Sequence, residues 1–170
     1  RQPIYQRAAY DNECVEIGND GITLAVFKRL SGWGWGEIYT PGGTCMAVLE
    51  HLGEVMLRDQ DIPMRFETDS VRKTTGPEGE SLVFSVIATV VRDKLVGTSF
   101  ENWMTYPLET PCIVGEVILT VPPDEPIINM KHRLKSTANY YVRYIRGPWL
   151  RVGEGSFGTA RDDAILPGVE

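Results

Sequence analysis

Apolar and polar residues alternate along most of this chain, which is the period of an extended strand rather than of a helix. Residues 21–28, GITLAVFK, place Ile22, Leu24 and Val26 on one face. Residues 32–40, GWGWGEIYT, alternate again, and residues 44–59, TCMAVLEHLGEVMLRD, read as two strands around a turn at Gly53. MRFETDSVRKTT at 64–75 is polar at alternate positions and fits an exposed or edge strand. GPEG at 76–79 marks a turn. Residues 80–93 carry β-branched or apolar side chains on both faces and predict a strand buried on both sides.

The alternation fades over 94–111, which predicts a long loop with at most a short helical turn. CIVGEVILTV at 112–121 restores it, with Ile113, Val117, Leu119 and Val121 on one face. PPDEP at 122–126 is a stiff connection, and segments 127–134 and 139–147 predict a hairpin across KSTA at 135–138. About nine strands punctuated by Gly and Pro turns describe an all-β fold, a twisted antiparallel β-sandwich with minimal helix.

Length and charge narrow the possibilities. The 170 residues fit a single domain spanning 1–170. A net charge of −6 argues against a nucleic-acid partner. The basic cluster MKHRLKS at 130–136 is too short to reverse that balance and reads as a solvated strand end. No apolar run approaches the ~18 residues of a membrane helix, so no membrane partner is expected. The first residue is Arg1, no apolar leader follows, and the last residues are DDAILPGVE; together these predict a segment of a longer protein. Cys14, Cys45 and Cys112 are far apart, with no CxxC pair and no nearby His, so neither a metal nor a cofactor is expected. Their odd number leaves at least one thiol free, while a disulfide between Cys45 and Cys112 stays open; buried free thiols are the preferred outcome.

GWGWGEIY, residues 32–39, carries the first candidate site. In an extended segment Trp33, Trp35, Glu37 and Tyr39 share one face, and Gly34, Gly36 and Ile38 take the other. Aromatic faces beside a carboxylate suit a sugar, whose C–H faces stack on rings and whose hydroxyls donate to the carboxylate. The same row also suits a core layer, which is the preferred outcome, and its glycines permit a loop. ENWMTY at 101–106 adds Trp103, and RGPWLRVGEG at 146–155 adds Trp149 between Arg146 and Arg151. GEGSFG at 153–158 matches G-x-G-x-x-G, but it sits in an antiparallel chain that stops 12 residues after Gly158. A dinucleotide fingerprint needs a parallel strand, a helix and a later acidic residue, so nucleotide binding is rejected. A tight loop with Glu154 at its tip remains.

Of the two histidines, His132 shares a face with Ile128, Met130 and Leu134 and reads as a core or rim residue; His51, beside Gly53, reads as exposed. Glu37, Glu101 and Glu154 lie next to Trp or Gly, where a carboxyl can act as an acid, but with 23 acidic residues such neighbours arise by chance. The catalytic residues, if any, stay unknown.

Two strings carry a resemblance. VILTVPPDEPIINMKHRL, followed by RGPWLRVGEGSFGTARDDAILPGVE, resembles the β-supersandwich domains of large carbohydrate-active enzymes, the galactose-mutarotase-like class. VEIGNDGITLAVFKR resembles their opening strands. The similarity covers the chain loosely and is specific near 146–170. It implies a twisted sandwich with any carbohydrate site on a concave sheet face. It implies as well a non-catalytic domain beside a catalytic one in the same polypeptide, of glycoside hydrolase or polysaccharide lyase type, with a periplasmic or extracellular location. Three other readings stay open: an autonomous carbohydrate-binding module, a small sugar epimerase or lyase using Glu37, His132 or Glu154, and a structural partner-binding sandwich.

Overall fold

The computed structural model describes residues 13–29, 32–57, 63–91, 109–136, 142–152 and 155–157. Their regular elements are strands, with no helix among the described residues. In chain order they are β1 (Cys14–Gly18), β2 (Thr23–Arg29), β3 (Gly32–Tyr39), β4 (Cys45–His51), β5 (Glu54–Leu57), β6 (Met64–Arg65), β7 (Glu67–Gly76), β8 (Gly79–Val91), β9 (Glu109–Val121), β10 (Asn129–Ser136), β11 (Val142–Arg146), β12 (Trp149–Val152) and β13 (Gly155–Phe157).

Two antiparallel groups make up the larger sheet. The first runs β1-β2-β3-β4-β12-β13 and the second β7-β8-β9-β10. A single parallel contact, Gly32 with Thr68, joins them into a 10-stranded sheet. A 3-stranded sheet, β11-β5-β6, completes the fold. Ile22, just before β2, and Leu24 and Val26 of β2 share one buried cluster with Leu82, Phe84 and Val86 of β8 and with Val117, Leu119 and Val121 of β9. The two groups therefore face each other across one core, and Val55, Leu57 and Phe66 of the small sheet region join the same cluster. The all-β sandwich expected from alternation is what forms.

Local chemistry fixes the first hairpin. The Asn19 side-chain oxygen accepts from the amides of Gly21 at 2.7 Å and Ile22 at 3.1 Å, an Asx turn. Its side-chain nitrogen donates to the carbonyls of Pro122 and Glu125, both at 2.6 Å, and so ties this turn to the stiff 122–126 connection.

Three expectations are corrected. Segments 127–134 and 139–147 do not form a hairpin: β10 pairs with β9, and β11 pairs with β5 in the other sheet. Alternation identifies a strand but not its partner, and β10 takes the place where Met130 and Leu134 pack against the core. Residues 155–157 of GEGSFG are a strand antiparallel to β12 rather than a loop. In β8, residues 81–84 are buried on both faces, but Ser85 is exposed, because the outer face beyond it is solvated.

Candidate functional site

The GWGWGEIY stretch is strand β3 from end to end, yet its side chains do not alternate as a simple strand would. Phe27 pairs with Trp35, and the next residue, Lys28, pairs with Trp33. Gly34 is thus the extra residue of a bulge, and its φ of 146° is one that a side chain would strain. The bulge reverses the face taken by residues before it. Trp33, 8% exposed, enters the main core with Ile38, while Tyr39 and Trp35 pack with Ala25 and Phe27 on the opposite face. The expected common face of Trp33, Trp35, Glu37 and Tyr39 is therefore wrong, and the bulge at Gly34 is the reason.

On the second face the carboxylate and the hydroxyl engage each other. The Tyr39 hydroxyl donates to the Glu37 carboxylate, and both residues are buried. The Arg29 guanidinium lies 4.0 Å from the centroid of the half-buried Trp35 ring, a cation–π contact. Trp35 Nε1 is buried without a hydrogen-bond partner. Cys45, the register partner of Tyr39, has its thiol pKa raised by burial and, after that, by the negative charge of Glu37.

The structure assembles a second constellation that the sequence did not announce. β4 and β5 are one chain path bent at Leu52 and Gly53; β11 and β12 are another, bent at Gly147 and Pro148. The two paths run antiparallel and pair on both sides of the bend, β4 with β12 in the large sheet and β5 with β11 in the small one. Gly53 makes the corner possible. Its φ is 146°, and a Cβ there would come 2.6 Å from the Arg146 carbonyl oxygen and 2.8 Å from the Phe66 ring.

Two cross-strand pairs flank this corner. On the large-sheet side His51 faces Trp149, with ring centroids 6.1 Å apart and planes 15° from parallel. On the small-sheet side Glu54 faces Arg146, with Arg146 Nη1 donating to Glu54 Oε1 at 3.1 Å. The Arg146 guanidinium also lies 4.3 Å from the Tyr144 ring centroid. Glu54 is in register with Arg65 of β6 as well. Glu54 and Arg146 are both largely removed from water, so their attraction is little screened.

His51 is buried rather than exposed as the sequence suggested, because the bend carries it into the sheet junction. Burial, and then the nearby positive charge of Arg65, lower its pKa to about 4, and the adjacent Gly53 backbone is a smaller, opposing influence. Its Nδ1 has no hydrogen-bond partner. At neutral pH the ring is therefore uncharged and a poor proton acceptor.

The remaining candidates are scattered. His132 lies on the core-facing side of edge strand β10, opposite Val117, but is exposed at the rim. Arg151 pairs with Glu50 at 3.2 Å. Trp103, Glu101 and Glu154 lie outside the described residues. Cys14, Cys45 and Cys112 are free thiols, and only Cys112 is fully buried. Among the described residues no group of His, Cys, Asp and Glu is arranged to hold a metal ion, and no helix is long and apolar enough to cross a membrane. Besides the turn at Gly53, the sequence signal for the corner is the mirrored spacing His51-Leu52-Gly53-Glu54 and Arg146-Gly147-Pro148-Trp149, each with a bend residue inside. Compared with family models, curated proteins and solved structures, the chain matches none.

Proposed function

We propose that the chain is a non-catalytic β-sandwich module of a carbohydrate-active enzyme, of glycoside hydrolase or polysaccharide lyase type. It supports a catalytic domain of the same polypeptide or flanks its glycan site. One observation carries the reading: the ionisable groups best placed for chemistry are engaged in holding the fold. Glu54 is tied to Arg146, Glu37 accepts from Tyr39, and His51 is kept neutral against Trp149. A general acid or base needs access to substrate and a pKa near the working pH. His51 lacks both, and the two carboxylates are buried and partnered. The resemblance of 117–134 and 146–170 to galactose-mutarotase-like domains supports the carbohydrate setting.

A second reading, an autonomous carbohydrate-binding module, draws on the half-buried rings of Trp35 and Trp149. The 170-residue chain, assayed for hydrolysis, elimination and anomer exchange over neutral and acidic oligosaccharides, is expected to show no turnover. Turnover abolished by Glu37→Gln or His132→Ala would contradict the proposal. Saturable quenching of tryptophan fluorescence by an oligosaccharide, lost in Trp35→Ala or Trp149→Ala, would favour the binding module instead.

A further inference from the structure

The outer face of the β7-β8-β9-β10 group carries a charge pattern opposite to that of the whole chain. The core side of β10 is set by Met130 and Leu134, so Lys131, Arg133 and Lys135 point the other way. All three are exposed. They succeed one another at about 6.7 Å along a strip about 13 Å long. Arg72 of β7 reaches toward the same strip: its Nη1 lies 3.4 Å from Glu116 Oε1, and Glu116 is the register partner of Arg133. Among the described residues Glu116 is the sole carboxylate within the strip; on β7, Glu67 lies at the far edge of this face, opposite Ile87 of β8, and exposed Asp69 adjoins Ser70. No carboxylate among the described residues forms an ion pair with Lys131, Arg133 or Lys135. A chain with net charge −6 thus gathers four cations around one carboxylate within this strip.

The surface between the cations is hydroxylic, amidic and aliphatic. Ser70, Ser85 and Asn129 are exposed there, and Val114 and Ile118 are half-buried. We propose that this strip along β10 docks an acidic polysaccharide, one that bears carboxylate or sulfate groups on successive sugar units. Lys131, Arg133, Lys135 and Arg72 would meet the anionic groups, and Ser70, Ser85 and Asn129 the sugar hydroxyls. The inference rests on the carbohydrate reading above and names its substrate class. Duplex DNA fits less well: it carries a charge about every 1.7 Å, and the acidic remainder of the chain repels so dense a polyanion. Single-stranded nucleic acid wants aromatic stacking platforms, and the strip offers aliphatic side chains. An acidic peptide would engage the same charges, and the poly-glutamate arm of the titration below separates it from an acidic glycan.

The test is a binding titration of the 170-residue chain with polygalacturonate, heparin, dextran, a poly-glutamate peptide and duplex DNA. Polygalacturonate or heparin is expected to bind best, with affinity falling by about tenfold or more between 50 and 300 mM NaCl. The triple variant Lys131→Gln, Arg133→Gln, Lys135→Gln is expected to lose about tenfold or more. Glu116→Gln removes the one carboxylate of the strip and is expected to tighten binding by about threefold, a gain that misfolding cannot produce. Equal binding by the triple variant, or tighter binding of poly-glutamate or DNA than of either acidic glycan, would overturn the proposal. Dextran binding as well as polygalacturonate would overturn it too while leaving the carbohydrate reading in place. Absence of all glycan binding would also overturn it, with the accessory-module reading decided separately by the turnover assay.

Discussion

His51 and Trp149 are register partners across β4 and β12, and their rings stack with centroids 6.1 Å apart. The pair sits one step from the bend that passes both chain paths from the large sheet to the small one. Packing against the indole keeps the imidazole out of water, and Arg65 adds a repelling charge, so the folded protein favours neutral His51.

That preference makes stability pH-dependent in a defined direction. The folded pKa is about 4, below the ordinary 6.5. Above pH 6.5 the ring is neutral in both states and the stability is intact. Between 6.5 and 4 the unfolded chain takes up a proton that the folded chain does not, so stability falls as the pH falls. The loss from this one group approaches about 3 kcal/mol near pH 4. Urea unfolding at pH 7.5 and 4.5 should show His51→Phe losing about 2–3 kcal/mol less than the parent over that interval. Equal losses would remove His51 from the account of acid sensitivity.

The bulge at Gly34 separates two tryptophans that alternation had placed together. Trp33 lies in the main core, so Trp33→Ala should cost about 3–5 kcal/mol. Trp35 is half-buried on the other face, and Trp35→Ala should cost less, about 1–2 kcal/mol. Thermal and chemical denaturation of both variants checks the order, and a larger loss at Trp35 would mean that the bulge is misplaced.

The Glu54–Arg146 pair joins β5 to β11 beside the same bend. Arg146→Ala strands a buried carboxylate and should destabilise by about 3–5 kcal/mol. Adding Glu54→Gln removes the stranded charge, so the double variant should regain at least about 1 kcal/mol. A double-mutant cycle showing additivity would argue that the two side chains do not interact.

Thiol labelling distinguishes the three free cysteines. Cys112 is buried with its pKa pushed up to about 11 by desolvation and should label only after unfolding. Cys45 is exposed and should label in the native state. Because Glu37 helps to raise its pKa, Glu37→Gln should speed native labelling of Cys45 by about twofold. Native labelling at Cys112 ahead of Cys45 would contradict the placement of both.

Much of this fold was readable before any coordinates. The common face of Ile22, Leu24 and Val26, the face of Ile113, Val117, Leu119 and Val121, and the bend at Gly53 all follow from period and turn chemistry. Partnership was less readable. β10 and β11 are consecutive and both alternate, yet they join different sheets, because pairing depends on which distant faces must be covered. The bulge was hidden because Gly34 and Gly36 look alike in sequence, and only the register with β2 tells them apart. The His51–Trp149 and Glu54–Arg146 pairs were hidden because each joins residues far apart in the chain. The basic strip was visible as MKHRLKS, but its common orientation and its approach by Arg72 needed the sheet.

The accessory-module reading is tested most directly on the polypeptide as the cell makes it. Captured with an antibody against the exposed β7–β8 hairpin, it should have an intact mass well above the 19.0 kDa of this chain and should turn over a glycan. A species of 19.0 kDa that turns over no glycan would contradict the reading.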